Sequence, residues 1–235
     1  KVHWEGHMLI IDTRTLQNYR VSGNGAGKMR STVTLLGSIL GRMHKVEIPY
    51  PGGCTIGERP INLHLKGLEQ LGAVFEYQEH TLCGTVDFLH GAQIYLDFPS
   101  VGATENILLA AVLAEGITTI HGAAMEPEIV ELVCFLRKMG AHISGEGTPV
   151  LLVEGVKKLH AAEYIIPSDR IVAGTYLFGA LMTRGEARLL HVPLAHLGTL
   201  PELLERMGAV VEAEDDWIYV KMERQCNPIP YLVTA

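Results

Sequence analysis

Apolar positions along the chain fall into helical and strand periods, and the pattern recurs. Ile129, Val130, Leu132, Val133 and Leu136 keep the three-to-four spacing of an amphipathic helix. That helix runs into Met139-Gly140-Ala141, where glycine can take the left-handed conformation that ends a helix. His142-Ile143-Ser144 and Val150-Leu151-Leu152-Val153 then read as the two strands of a hairpin. The same order appears at Leu71-Gly72-Ala73 ahead of Val74-Phe75-Glu76-Tyr77. It appears again at Met207-Gly208-Ala209 ahead of Val210-Val211-Glu212-Ala213 and Trp217-Ile218-Tyr219-Val220. Gly72, Gly140 and Gly208 stand 68 residues apart each time, the mark of an internal repeat. A second, more uniformly apolar helix precedes each copy, over 29–40, 104–114 and 171–182, and each leads into a short strand. One unit is therefore β-α-β-α-β-β, an α/β (α+β) class. The helix carrying Ile107, Leu108, Leu109, Val112 and Leu113 has little polar face and is expected to be buried.

The pattern is cut at both ends. Val2-His3-Trp4-Glu5 and Met8-Leu9-Ile10-Ile11-Asp12 look like the closing hairpin of an earlier unit, and residues 228–235 like the opening of another. A piece of a longer repeat protein is expected, with uncovered apolar faces and self-association, or missing repeats, as the consequence.

Composition narrows the class. With 235 residues, 48% hydrophobic and 19% charged, the chain is no disordered segment. Its 19 basic against 26 acidic residues leave a net charge of −7 and no basic surface for nucleic acid. The longest aliphatic run, 107–114, is far short of the roughly 20 residues that span a bilayer. Cys54, Cys83, Cys134 and Cys226 are scattered and expected to be free thiols in a reducing cytoplasm. Eleven histidines show no metal-ligand spacing, so no metal is expected.

Chemistry concentrates in a few segments. In Pro51-Gly52-Gly53-Cys54-Thr55-Ile56-Gly57-Glu58-Arg59-Pro60 a thiol and a guanidinium share a glycine-rich, lid-like loop. A nearby cation lowers a thiol's pKa, and Arg59 suits bidentate binding of carboxylate or phosphate. Residues 22–30 form a glycine-rich run into a helix, an anion cradle reinforced by Lys28 and Arg30, without P-loop or Rossmann spacing. Ser100 and Thr104 are alternative N-caps in Ser100-Val101-Gly102-Ala103-Thr104, and Gly102 lets a ligand approach the backbone. Pro167-Ser168-Asp169-Arg170 opens the third apolar helix in the same way.

These segments, with Glu126-Pro127-Glu128-Ile129-Val130, Asp169-Arg170-Ile171 and Gly174-Thr175, resemble the UDP-N-acetylglucosamine enolpyruvyl transferases (1-carboxyvinyltransferases) over nearly the whole chain. The resemblance implies an inside-out barrel fold of two lobes, each of three such units. Residues 1–168 would form the first lobe in part and 169–235 the first, incomplete repeat of the second. It implies cytoplasmic transfer of enolpyruvyl from phosphoenolpyruvate to the sugar 3′-hydroxyl, with release of phosphate, in peptidoglycan synthesis. No cofactor is implied. Cys54 would protonate the phosphoenolpyruvate methylene and can form a covalent adduct. Arg59 would neutralise phosphate and carboxylate charge, and Arg30 would help to hold the substrates. Pro60, Ile61, Asn62 and Leu63 would contact the nucleotide sugar, and Phe98, Pro99, Ser100, Val101 and Gly102 would face its diphosphate.

Some positions depart from the family. Asn62 replaces a usual Asp, Phe98 a Lys of some members, Ser168 a Pro and Val172 a Glu. The loop before Arg30 is closer to that of the related shikimate-pathway transferase. The family's Lys-Asn pair, its Asp base and a second-lobe Arg would fall outside these residues, so the 235 residues alone are expected to be inactive. A transferase with another acceptor, and an inactive binding or assembly module, remain alternatives.

Overall fold

The computed structural model describes residues 1–23, 25–49 and 60–230. They divide into two compact units, Lys1–Tyr164 and Ile165–Ala235. The first opens with the hairpin β1 (Val2–Glu5) and β2 (Met8–Ile11), in which Val2 lies opposite Ile11. Then come α1 (Leu35–Met43), β3 (Lys45–Pro49), α2 (Asn62–Gln70), β4 (Val74–Gln78) and β5 (Thr81–Thr85). The next copy supplies β6 (Gln93–Tyr95), α3 (Val101–Ala111), β7 (Ile117–His121), α4 (Pro127–Lys138), β8 (His142–Ser144) and β9 (Val150–Glu154). The second unit holds α5 (Arg170–Met182), β10 (Glu186–Leu189), α6 (Leu200–Arg206), β11 (Val210–Glu214) and β12 (Trp217–Lys221).

The β-α-β-α-β-β order is complete in β6 to β9, where the sheet runs β6-β7-β9-β8 and only β6 and β7 are parallel. The neighbouring copies use the same pairing, as β3-β5-β4 and β10-β12-β11, with the return strand of the hairpin in the middle. Arg20 forms a single parallel bridge to Glu47, in the place that β6 takes beside β7. Strand alternation sets the buried faces: Val46 and Ile48, Leu151 and Val153, Ile218 and Val220 all point into cores.

The three repeat glycines close their helices alike. Gly72, Gly140 and Gly208 have φ of 103°, 96° and 98°. The alanine after each returns a hydrogen bond five residues back, Ala73 to Leu68, Ala141 to Leu136 and Ala209 to Leu204, at 3.0–3.1 Å. This 6→1 bond satisfies a carbonyl that the helix end would otherwise orphan.

Two helix bounds differ from the sequence reading. The expected helix at 29–40 starts as 3-10 turns at 26–28 and 30–34 and becomes α-helical only at Leu35. Hydroxyls explain this: Thr32 Oγ1 donates to the Ala26 carbonyl and Thr34 Oγ1 to that of Ser31, both at 2.7 Å. Such bonds compete with the α-helical ladder. The second helix starts three residues earlier than expected because Ser100, not Thr104, is its cap. Ser100 Oγ accepts from Ala103 N at 3.4 Å. Thr104 is buried, and its Oγ1 accepts from Ala124 N at 3.1 Å. Among the described residues no helix is long and apolar enough to cross a membrane.

Candidate functional site

Three chain segments meet in the first unit: the 3-10 turn carrying Arg30, the start of α2, and the start of α3. Arg30 Nη2 donates to the Pro60 carbonyl at 3.3 Å, so the arginine is tied to the residue that leads into α2. Pro60 and Asn62 are exposed, whereas Ile61 and Leu63 are 4% and 3% exposed and belong to the core. Their side chains anchor the first turn of α2, and what they can offer a ligand is main chain. Neither α2 nor α3 has an acidic residue in its first turn, so both helix starts stay favourable to anions. Lys66 on α2 pairs with Asp97 at 3.0 Å and fastens that helix to the segment leading into α3. In that segment Phe98 and Pro99 are exposed, and Ser100, Val101 and Gly102 are half-buried.

His64, one turn into α2, was not a sequence candidate, yet it sits between these parts. It is 8% exposed, and a Cβ on Gly102 would lie 3.0 Å from its Cε1. A Cβ there would press on the imidazole, so glycine gives the ring room beside the first turn of α3. Burial first, then the nearby Arg30 charge, pushes the pKa of His64 down to about 4, so the ring is neutral at pH 7. Its Nδ1 lies 2.7 Å from Asn106 Nδ2, deep in α3. A lone histidine among leucines reads in sequence as core. The signal that marks it, Asn106, is remote in sequence and joined to it only by folding.

Cys54 and Arg59, with the rest of 50–59 and with Asn24, lie outside the described residues. Cys83, Cys134 and Cys226 are free thiols. Among the described residues no group of His, Cys, Asp or Glu is arranged to hold a metal ion. In the second unit Asp169 caps α5, accepting from Ile171 N at 2.7 Å and Val172 N at 3.1 Å. That carboxylate is committed to holding the helix start.

The repeated β-α-β-α-β-β unit is shared with known enolpyruvyl transferases. The chain belongs to the EPSP synthase (3-phosphoshikimate 1-carboxyvinyltransferase) family, whose profile matches residues 3–235. It is 45% identical, over all 235 residues, to the UDP-N-acetylglucosamine 1-carboxyvinyltransferase 2 of Caldanaerobacter subterraneus subsp. tengcongensis, and spans 56% of that protein's length. Two solved structures share the fold. The enolpyruvyl transferase NikO from Streptomyces tendae aligns with TM-score 0.79 at 19% identity, over 94% of this chain and 54% of its own. EPSP synthase from Acinetobacter baumannii aligns with TM-score 0.61 at 26% identity, over 85% of this chain and 48% of its own.

Proposed function

We propose that the chain is part of an enzyme that transfers enolpyruvyl from phosphoenolpyruvate to the 3′-hydroxyl of UDP-N-acetylglucosamine in peptidoglycan synthesis. The observation that carries this reading is 45% identity, along the entire chain, to a UDP-N-acetylglucosamine 1-carboxyvinyltransferase. The geometry around Arg30 agrees with it. A nucleotide sugar brings a diphosphate, and a guanidinium beside two uncapped-by-acid helix starts offers the matching donors.

In this reading the sugar 3′-oxygen bonds to C2 of phosphoenolpyruvate as its proton passes to a base outside these residues. Cys54 delivers a proton to C3. Loss of a C3 proton and cleavage of the C2–O bond to phosphate then restore the double bond. Arg59, five positions from the thiol in sequence, offsets the charge of carboxylate and leaving phosphate. Pro60, Asn62 and the main chain of Ile61 and Leu63 meet the uridine side, and the segment from Phe98 to Gly102 meets the diphosphate.

Two measurements test it. The chain should bind UDP-N-acetylglucosamine and not shikimate phosphate in calorimetric titration; the reverse result would assign another acceptor, as the glycine-rich loop before Arg30 would favour. In a version extended to the relative's length, fosfomycin, the epoxide that alkylates the loop cysteine of UDP-N-acetylglucosamine enolpyruvyl transferases, should add to Cys54 when nucleotide sugar is present. An unmodified intact mass removes Cys54 from the proton-donor role.

A further inference from the structure

The copy of the repeat that ends in β12 departs from the one before it where that one is held by a cation. Three residues before Gly140, Arg137 reaches from α4 to the open edge of β8, the outermost strand of its sheet. Its Nε donates to the Ile143 carbonyl at 2.8 Å. Its two Nη atoms donate to the carboxylate of Glu146, six residues after that glycine. The guanidinium thus fills the corner between helix and edge strand. Counted from Gly208 in the same way, these positions are Glu205 on α6, Val211 on β11 and Glu214 at the end of β11. β11 is likewise an edge strand, and Val211 lies opposite Val220 as Ile143 lies opposite Val153. Alternation along an antiparallel pair then turns the Val211 carbonyl, like that of Ile143, away from its sheet. A carboxylate at position 205 accepts hydrogen bonds and cannot donate one to that carbonyl.

The corner that Arg137 fills is a groove in the later copy. Its volume is about 730 Å3, and its walls include Pro201 and Glu205 of α6 and Val211, Glu212, Glu214 and Trp217 of the hairpin. Among the described residues the carboxylates of Glu205 and Glu214 take part in no hydrogen bond or ion pair. Arg188 lies over the Trp217 ring, 4.1 Å from its centre, and pairs with neither of them. Negative charges gathered in one groove repel, and a cation set among them relieves the repulsion.

We propose that this groove is a docking site for an extended, arginine-bearing segment of a partner protein, whose guanidinium takes the place that Arg137 fills in the preceding copy. The guanidinium donates to the Val211 carbonyl and, as a fork, to the Glu214 carboxylate, and Glu205 takes up its remaining hydrogens. Pro201 and Trp217 cover its methylene stem. The main chain of the segment follows the free edge of β11, where Val211 and Ala213 offer donors and acceptors to an added strand. Arginine suits the corner better than lysine, because a planar fork of five donors can serve a carbonyl and two carboxylates at once.

The test is an NMR titration of the 15N-labelled 235-residue chain with a blocked pentapeptide that carries arginine at its centre between valines. The amide signals of Val211 and Ala213 should move, and those of His142 to Ser144, on the edge that Arg137 already occupies, should stay still. Equal movement at both edges, or none at β11, overturns the proposal. The same peptide with citrulline, which keeps the shape and loses the charge, should bind about tenfold or more weakly, the weight of a hydrogen bond to a charged group. Equal affinity for the two peptides removes the guanidinium from the groove. Spermidine binding as tightly as the arginine peptide would make the groove a site for small cations and sink the docked segment. Glu205→Arg should supply the cation from α6 itself, so peptide binding should vanish while thermal unfolding shows the variant no less stable than the wild type. A folded Glu205→Arg that binds the peptide as before would place the arginine elsewhere, and the two-peptide comparison on the wild type decides the matter without any variant.

Discussion

Within the run Pro60-Ile61-Asn62-Leu63-His64, neighbouring residues have opposite tasks. Ile61 and Leu63 are held in the core and fix the first turn of α2, which leaves Pro60 and Asn62 at the surface. His64 is buried, but its function in the fold depends on staying neutral. Its pKa falls from 6.5 in the unfolded chain to about 4 in the folded one, by burial and by Arg30. The unfolded chain therefore binds a proton at His64 that the folded chain refuses between these two values. Stability from this group is full above pH 6.5 and is lost as the pH falls towards 4, by on the order of 3 kcal/mol. Urea unfolding should show that loss in the wild type, and His64→Gln should flatten the pH slope over the same window. A variant with the wild-type slope would mean that other groups govern it. The sequence showed Arg30 and the 100–102 segment as candidates because charge and glycine announce themselves, and Pro60 through the resemblance to a known family. It concealed His64, because a histidine's role is set by what the fold brings to its two nitrogens.

At the scale of elements, the contact between α1 and α3 and the exposed side of α5 make opposite demands of glycine. A Cβ on Gly37 would stand 2.0 Å from the main-chain oxygen of Asn106, which is held by its helix and cannot yield. A Cβ on Gly179, inside α5, would meet nothing within 4 Å. Gly37→Ala should thus destabilise the first unit by about 3 kcal/mol, the upper range for overpacking, with the α1–α3 contact forced apart. Gly179→Ala should be neutral or stabilising by up to about 1 kcal/mol, the helix propensity of alanine over glycine. Denaturant midpoints of the two variants check both signs, and a tolerated Gly37→Ala would contradict the close approach. The repeat, its glycine-ended helices and its hairpins were legible in the sequence because each depends on neighbours within a few positions. The 3-10 start of α1 was not, since whether a threonine hydroxyl bonds back to the main chain depends on the turn before it. Nor could the choice between Ser100 and Thr104 as cap be settled before Ala124 was known to take the hydroxyl of Thr104.

On the scale of the whole molecule, α3 and α5 are equivalent helices in different surroundings. Counting from their caps, Ser100 and Asp169, the third, sixth, seventh and tenth residues are Ala103, Asn106, Ile107 and Ala110 in α3. In α5 they are Val172, Thr175, Tyr176 and Gly179. The four in α3 are buried beneath α1 and α2, whereas all four in α5 are exposed, Val172 at 50% and Tyr176 at 64%. The reading that the helix carrying Ile107 and Leu108 is buried therefore holds for α3, which finds its neighbours, while α5, of similar apolar content, is left partly uncovered. Ile171 and Met182 extend the same uncovered side. Covering such side chains gains roughly 1.5–3 kcal/mol each when burial is complete, enough for several together to draw two copies into contact at high concentration. Light scattering on the 235-residue chain should accordingly give a mass that rises with concentration above that of one chain. Val172→Lys with Tyr176→Lys should return it to a monomer while leaving α5 folded on Ala173, Leu177 and Leu181, which face the core. A wild-type chain that stays monomeric at every concentration would mean that the exposed side of α5 is tolerated in water, and that its apolar residues carry no drive to associate.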